Sequence, residues 1–228
     1  MSLGKLAVIE GTDCSGKETQ TKLLYERLQR EGFPVETISF PRYETPTGRI
    51  VGECYLGKSG QSWFESPTTL DPQVACLYYA ADRVAAREEM NLILNSGRSI
   101  VSNRYVESNM GHQGGKAKTI QEREKIVTFI NNLEYGLLNL PKPDQVIFLY
   151  MPYQVGMELK KGRKGIADAH ESSVDHLRDA EESYLWIAKN YGWTQINCTT
   201  DGTIKGLRKI EDIAHEVYSK FMGNFHTK

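Results

Sequence analysis

Seven residues near the start of the chain have the types and the spacing of a phosphate-binding loop. Gly11-Thr12-Asp13-Cys14-Ser15-Gly16-Lys17 places two glycines, with four residues between them, directly before a lysine, which is the Walker A pattern. In such a loop, backbone N–H groups point into a concave nest, and the following helix N-terminus adds positive potential. The lysine reaches the terminal phosphates of a nucleotide. We therefore favour this interpretation over a glycine-rich turn.

The residue after the lysine departs from the pattern. A serine or threonine normally stands there and binds Mg²⁺ through its hydroxyl, whereas this chain has Glu18, followed by Thr19. A carboxylate can bind Mg²⁺ directly or through water. Alternatively, Glu18 is an acid in the first turn of a helix, where the helix dipole favours it. The sequence leaves both interpretations open.

The segments around this loop alternate in hydrophobic pattern as an α/β fold requires. Short apolar runs predict five strands, at residues 6–9, 35–40, 99–101, 146–149 and 194–197. Longer amphipathic runs predict helices at 19–31, 71–95, 121–139, 168–190 and 205–222. Strands that alternate with helices indicate a parallel sheet with helices on its faces. Because the chain contains no linker or internal repeat, we expect one domain over residues 1–228.

Composition and charge exclude several classes of protein. With 28 basic and 29 acidic residues among 228, the formal net charge is -1, so no global positive field attracts nucleic acid or an anionic membrane. No apolar run is long enough to span a bilayer. The four cysteines have neither metal-binding spacing nor the pattern of a disulfide framework. We expect a cytoplasmic protein with reduced thiols that binds neither nucleic acid nor membrane.

Four further stretches resemble the thymidylate kinase family in order and spacing. They are Phe40-Pro41-Arg42-Tyr43, Leu77-Tyr78-Tyr79-Ala80-Ala81-Asp82-Arg83, Asn103-Arg104-Tyr105-Val106-Glu107-Ser108-Asn109 and Leu140-Pro141-Lys142-Pro143-Asp144. The resemblance implies the three-layer fold of P-loop nucleoside monophosphate kinases, with a five-stranded parallel sheet flanked by helices and a mobile lid at about residues 158–168. It also implies transfer of the γ-phosphoryl group of ATP to dTMP, with Mg²⁺ as cofactor, in a homodimer.

The resemblance implies a role for each residue at a matching position. The catalytic residues would be Lys17, Arg104 and Arg163. The phosphates of ATP would be bound by Gly11, Thr12, Asp13, Cys14, Ser15, Gly16, Lys17, Glu18 and Thr19. The dTMP site would comprise Asp13, Phe40, Pro41, Arg42, Tyr79, Arg83, Arg104, Ser108, Asn109 and His112. The candidate Mg²⁺ ligands are Asp13 and Glu171, at positions that the resemblance indicates, and Glu18, whose carboxylate stands where the pattern has a hydroxyl.

Within the dTMP set, the family implies that Tyr79 stacks on thymine, Arg83 binds a base carbonyl, Arg104 grips the acceptor phosphate and Asn109 faces the thymine edge. A ring and a donor on one helix face suit a nucleobase. However, Tyr79 also belongs to a stripe with Cys76 and Ala80 that fits core packing. Arg104 follows a strand at its carboxyl end, where open α/β sheets place their ligands.

Two positions differ from the family in ways that affect the site. The family usually has aspartate where this chain has Asn103, so a charge near the metal is lost. It often has tyrosine where this chain has His112, near the sugar edge that distinguishes deoxyribose from ribose. Imidazole can fill that space, so the resemblance implies recognition of the base and leaves the discrimination between the two sugars open.

A cluster of positive charge follows the fourth strand. Lys160-Lys161-Gly162-Arg163-Lys164-Gly165 has four cations in six residues, for which a solvated loop is the simple interpretation. In nucleoside monophosphate kinases the lid that closes over the phosphates lies at this position. Thymidylate kinases that lack an arginine at the position of Cys14 have the catalytic arginine in the lid instead. We expect Arg163 to supply that charge, with Lys161 or Lys164 as alternatives.

Three alternatives remain open. Glu171 also fits a capping pair with Asp168 at the start of a helix, instead of a metal ligand. The chain also fits another nucleoside monophosphate kinase, or a deoxynucleoside kinase on the same fold, which would phosphorylate a different acceptor. A catalytically silent nucleotide-binding protein would explain Glu18 and Asn103, although the presence of Lys17, Arg104 and Arg163 argues against it.

Overall fold

Five strands form one parallel sheet in the computed structural model, which describes residues 3–58, 60, 62–64, 68–161 and 174–225. The strands are β1 (Leu6–Gly11), β2 (Val35–Ser39), β3 (Ser99–Asn103), β4 (Gln145–Tyr150) and β5 (Thr194–Asn197). Their spatial order is β2-β3-β1-β4-β5, so β1 lies at the centre. In this register Val8 is opposite Ser102 of β3 and Val146 of β4. The predicted parallel sheet of five strands is confirmed.

Helices cover both faces of this sheet. They are α1 (Lys17–Arg30), α2 (Pro46–Arg49), α3 (Pro72–Asn95), α4 (Val106–Gly114), α5 (Ile120–Asn131), α6 (Tyr153–Lys161), α7 (Val174–Asn190) and α8 (Ile210–Phe225). Two π-helical turns, Ile50–Tyr55 and Asn132–Leu137, continue α2 and α5. No helix within the described ranges is long and apolar enough to cross a membrane.

The side chains of β1 point alternately into two hydrophobic cores, one on each face of the sheet, so the sheet is the middle layer between two layers of helices. Leu6 and Val8 pack into the core that includes Met90 of α3 and Met110 of α4. Ala7 and Ile9 pack into the core on the opposite face, with Leu24 of α1 among its members. Because successive side chains of a strand point to opposite faces, a strand buried on both faces has no polar face. The continuous apolar run of β1 therefore places its carboxyl end in the middle of the molecule.

Several predicted helix boundaries are wrong. The helix predicted at 121–139 is α-helical only to Asn131 and then widens into the π-helical turn. The helix predicted from residue 205 begins at Ile210, because the hydroxyl of Thr203 accepts from the Gly206 N–H and caps a separate 3₁₀ turn, Ile204–Gly206. Helices α2, α4 and α6 were not predicted, since they are too short to show a clear period. The predicted start at residue 168 lies outside the described residues.

Gly111 of α4 is required by the close packing of α4 on α7. A Cβ built there would overlap the ring of Tyr184, which is fully buried. We expect Gly111→Ala to lower the free energy of unfolding by about 1–3 kcal/mol, as overpacking of a core does. Urea unfolding of both proteins measures the difference.

Gly136 provides the matched control. A Cβ at this position meets no heavy atom of the described residues within 4 Å. Gly136→Ala should therefore be neutral or stabilising, because alanine loses less backbone entropy than glycine on folding. Equal destabilisation by both substitutions would show that the contact between Gly111 and Tyr184 is not the cause.

Candidate active site

The loop between β1 and α1 adopts the conformation that its sequence predicts. Cys14 has φ 61° and Gly16 has φ 80°, so both residues are in the left-handed region. Such residues turn consecutive N–H groups towards one side, which forms an anion-binding nest. The Nζ atom of Lys17 lies beneath the loop and donates to the carbonyl oxygens of Gly11 at 2.9 Å and Thr12 at 2.8 Å. The lysine is therefore held next to the nest.

The environment of Lys17 disfavours its charged form. Burial and the nearby charge of Arg104 lower the pKa of Lys17 from 10.5 to about 8, although Asp13 and Glu10 act in the opposite direction. An opposite charge placed beside a buried cation favours its charged form. The site is consequently prepared for a negatively charged ligand at this position.

A cavity of about 410 Å³ opens beside the loop. Nine of the ten residues predicted for the dTMP site line it, namely Asp13, Phe40, Pro41, Tyr79, Arg83, Arg104, Ser108, Asn109 and His112. Glu18, Asn103 and Tyr105 line it as well. Residues from the loop, from the carboxyl ends of β2 and β3, and from α3 and α4 thus meet in one place. This is the edge of the sheet where open α/β folds bind ligands.

The tenth residue, Arg42, is not brought to this cavity. Its backbone N–H donates to Asp82 Oδ2 at 2.8 Å, and its Nη2 donates to the carbonyl oxygen of Asp82 at 3.1 Å. The Nε of Arg42 also lies 3.4 Å from Asp82 Oδ1. Arg42 therefore ties the segment after β2 to α3, and the described contacts give it a structural role.

Arg104 stands at the junction of the loop and the cavity. Its Nη2 is 3.5 Å from Asp13 Oδ1, and its Nη1 is 3.3 Å from Ser108 Oγ and 3.4 Å from His112 Nε2. Burial works against the charge of Arg104, but the carboxylates of Glu10 and Asp13 raise its pKa above the ordinary value. The guanidinium is thus a permanent positive charge beside the loop.

Asp13 is the anion that these cations share. Burial raises the pKa of its carboxyl, but Lys17, Arg104, His112 and Lys160 together lower that pKa well below the ordinary value. Lys160 Nζ donates to Asp13 Oδ2 at 3.3 Å. Lys160, at the end of α6, is therefore the cation of the predicted lid that the structure places against the loop. Arg163, Lys164 and Glu171 lie outside the described residues, and Lys161 is exposed at the end of α6.

Glu10 is a residue of this site that the sequence analysis did not identify. Its side chain is fully buried at the end of β1. Glu10 Oε2 accepts from Ser108 Oγ at 2.6 Å, and Oε1 accepts from the Gly11 N–H at 3.0 Å and lies 3.8 Å from Arg104 Nη1. The sequence could have predicted this role, because a carboxylate in a strand that is buried on both faces must have hydrogen-bonding or charged partners.

The far end of the cavity is lined by rings and hydrogen-bonding groups. The ring of Tyr79 is half-buried and meets Tyr55 edge to face, with 5.4 Å between centroids. Cys76 and Ala80 are fully buried, so the predicted core stripe exists alongside the cavity-facing ring. Arg83 and Asn109 both bond to Glu134, which comes from the π-helical turn Asn132–Leu137. An aromatic face and fixed polar groups are the usual features of a site for a planar ligand.

His112 connects this cavity to α7. Its Nδ1 lies 3.3 Å from Nε2 of His176, and the two rings stack with 5.5 Å between centroids. Its Nε2 faces Arg104, as described above. The imidazole therefore occupies the space between Arg104 and the first turn of α7.

Comparison with known proteins places the chain among phosphotransferases. A family model described as "Thymidylate kinase" matches residues 9–210. A thymidylate kinase of Plasmodium falciparum is 27% identical, with 94% of this chain and 88% of the relative aligned. A probable thymidylate kinase of Pyrobaculum aerophilum is 30% identical, with 92% of both chains aligned. The solved thymidylate kinase structure of Candida albicans has the same fold, with a TM-score of 0.71 at 22% identity over 98% of this chain and 93% of that one.

Proposed function

The chain belongs to the thymidylate kinase family, and we propose on this basis that it transfers the γ-phosphoryl group of ATP to dTMP, which gives dTDP and ADP. The observation that carries the proposal is that Arg104, which lines the cavity, lies 3.5 Å from Asp13 of the phosphate loop, beneath which Lys17 is held. A donor phosphate in the loop and an acceptor phosphate at Arg104 would meet there head to head.

Positioning and charge neutralisation supply the catalysis that this reaction needs. The acceptor is a phosphate dianion and is already nucleophilic, so we assign no general base. Lys17 and the loop N–H groups face the donor phosphates, Arg104 faces the acceptor phosphate, and Lys160 approaches from α6. Fixed positive groups of this kind stabilise the charge of the migrating phosphoryl group. A catalytic role for Arg163 remains a prediction.

We propose that Mg²⁺ accompanies ATP at oxygen atoms of Asp13, Glu18 and Asn103. All three residues line the cavity, and Asn103 Oδ1 is buried without a hydrogen-bond partner among the described residues. Mg²⁺ prefers carboxylate, amide and water oxygens, so these residues fit it. The ion, when bound, neutralises charge on the phosphates. Participation of Glu171 remains a prediction.

We further propose a homodimer formed through an exposed apolar surface on α3 and the π-helical turn before it. Trp63 and Leu77 are 65% and 49% exposed, and Ile50 and Val74 lie in the same groove. Light scattering should give a dimer for the wild type and a monomer for Leu77→Glu. A monomeric wild type would refute the proposed homodimer. The cytoplasmic location, the single domain and the lack of a nucleic-acid partner remain predictions.

A test of acceptors distinguishes the proposed activity from its rivals. We expect ADP release with dTMP to exceed that with dUMP, the corresponding ribonucleotide, AMP, CMP and thymidine. Preference for AMP or CMP would make the protein another nucleoside monophosphate kinase, and preference for thymidine a deoxynucleoside kinase. ATP binding without transfer to any acceptor would identify a silent nucleotide-binding protein.

A further inference from the structure

One buried carboxylate organises the polar groups at the far end of the cavity. Glu134 is fully buried in the π-helical turn Asn132–Leu137. Its Oε1 accepts from Arg83 Nη2 at 2.7 Å and from Asn109 Nδ2 at 2.8 Å, and its Oε2 accepts from Arg83 Nε. An ionised carboxylate has no donor, so every group that faces it must donate. Turns of π-helix inside α-helices are frequent at functional sites.

This carboxylate and the carbonyl oxygen of Cys76 together fix the orientation of the Asn109 amide. The side-chain NH₂ of Asn109 has two N–H groups, and one donates to Glu134 while the other donates to the carbonyl oxygen of Cys76 at 3.1 Å. Both partners accept only, so the amide cannot be reversed without placing its oxygen against two other oxygens. The atom that Asn109 can offer to a ligand in the cavity is therefore Oδ1, an acceptor.

The same carboxylate fixes Arg83 as a donor. Arg83 has five N–H groups. Two of them donate to Glu134, and one on Nη1 donates to the carbonyl oxygen of Tyr105 at 3.1 Å. One N–H on Nη1 and one on Nη2 remain for a ligand. The cavity thus presents an acceptor at Asn109 and donors at Arg83.

We infer that Glu134 is the positioning residue that makes the site select thymine or uracil over cytosine. The inference rests on the proposed function, which supplies a pyrimidine nucleotide as acceptor. Thymine and uracil present an N3–H donor beside the O4 acceptor, which complements Asn109 Oδ1 and the Arg83 N–H groups. Cytosine presents N3 as an acceptor and its amino group as a donor. Cytosine would therefore place acceptor against acceptor and donor against donor.

Replacement of the carboxylate by an amide tests this inference. In Glu134→Gln, an NH₂ group would face a donor from Arg83 or Asn109. Reversal of the Asn109 amide relieves that conflict at the cost of its bond to the Cys76 carbonyl oxygen, and it turns an N–H towards the cavity, which weakens the discrimination against N3 of cytosine. We expect the preference for dTMP over dCMP to fall by about tenfold, because a buried polar group that lacks its partner is destabilised. The preference is measured as the ratio of kcat/KM values and as the ratio of dissociation constants.

Two internal comparisons separate selection from simple damage. The values for dUMP should fall together with those for dTMP, since uracil and thymine share the same hydrogen-bonding edge. Glu107→Gln, the matched control, alters another buried carboxyl, whose Oε1 accepts from the Tyr135 hydroxyl at 2.7 Å and which has no hydrogen bond to Arg83 or Asn109. That variant should keep the wild-type preference. An equal loss for dTMP, dUMP and dCMP in Glu134→Gln would overturn the inference.

A second variant guards against misfolding. Glu134→Gln combined with Asn109→Asp keeps one buried negative charge, and a carboxylate at position 109 offers acceptors in either orientation. We expect the double variant to recover the preference for dTMP over dCMP, and a preference that stays as low as in Glu134→Gln would contradict the role of Glu134. Dissociation constants of the wild type are informative even without turnover. Failure of the wild type to phosphorylate dTMP would refute the proposed function, whereas an unchanged binding preference in Glu134→Gln would refute this inference alone.

Discussion

Arg104→Ala should lower kcat/KM for dTMP by about 10³-fold or more, because Arg104 is the cation placed between the loop and the acceptor cavity. Its guanidinium approaches Asp13 at 3.5 Å and Ser108 at 3.3 Å, so the positions of its N–H groups are fixed before any ligand arrives. Preorganised donors stabilise developing charge without reorganisation. Steady-state kinetics with dTMP varied at saturating ATP measures the loss.

The neighbourhood of Arg104 requires a second variant. Removal of this cation leaves the buried carboxylate of Glu10 without its positive partner, which destabilises a protein strongly. Arg104→Lys keeps the charge but not the planar fork of donors, and we expect it to fold normally and still lose most of the activity. Arg98→Ala, which breaks an exposed pair with Glu36, is the control. Near-normal turnover in Arg104→Lys together with Arg104→Ala would remove Arg104 from the site.

Lys17→Ala should lower kcat/KM for ATP by about 100- to 1,000-fold, the usual effect of losing one preorganised group that stabilises the transition state. Lys17 is buried beneath the loop, where its charge is costly, and its pKa is lowered to about 8. The substitution removes an unfavourably buried charge but also leaves the carbonyl oxygens of Gly11 and Thr12 without their donor, so urea unfolding of the variant accompanies the kinetics. Lys22→Ala alters an exposed lysine of the same helix and should leave the kinetics unchanged.

The depressed pKa of Lys17 also predicts a pH dependence. Free enzyme loses the Lys17 charge as the pH rises through about 8, so kcat/KM for ATP should decrease above that pH. Stability changes in the opposite direction. Between about pH 8 and 10.5 the unfolded lysine binds more protons than the folded one, so this group makes the protein more stable as the pH rises. A profile for ATP that stays flat to pH 9 would contradict the proposed position of Lys17.

Local patterns in the sequence were sufficient for the sheet and for the loop. Continuous apolar runs such as Leu6 to Ile9 identify buried strands, and the glycines with Lys17 fix the turn that follows. Short helices such as α4 and α6 extend over too few turns to reveal a period. The π-helical turn that carries Glu134 was not predicted, because such turns are rare and the hydrophobic period used to predict helices is that of the α-helix.

Site residues that belong to family motifs were predictable from the sequence. Residues whose role depends on contacts with distant segments were not. Nine residues predicted for the acceptor meet in one cavity, while Arg42, from the same motif as Phe40, turns to Asp82 instead. Glu10 and Glu134 escaped prediction for a shared reason. Each acts by holding other side chains from distant segments, and spacing along the chain carries no information about such partnerships.

The carboxylate of Asp13 has one more consequence, for competition between anions. It is bonded to Arg104 and Lys160, and Lys17 helps to lower its pKa, so these cations are already neutralised in part by a negative charge that belongs to the chain itself. A stray singly charged ion such as chloride gains little by entering, because it must compete with a partner that cannot diffuse away. Polyphosphates, which bring several charges at once, gain enough to displace it. Asp13 would thereby make this cluster of cations bind multiply charged anions in preference to singly charged ones.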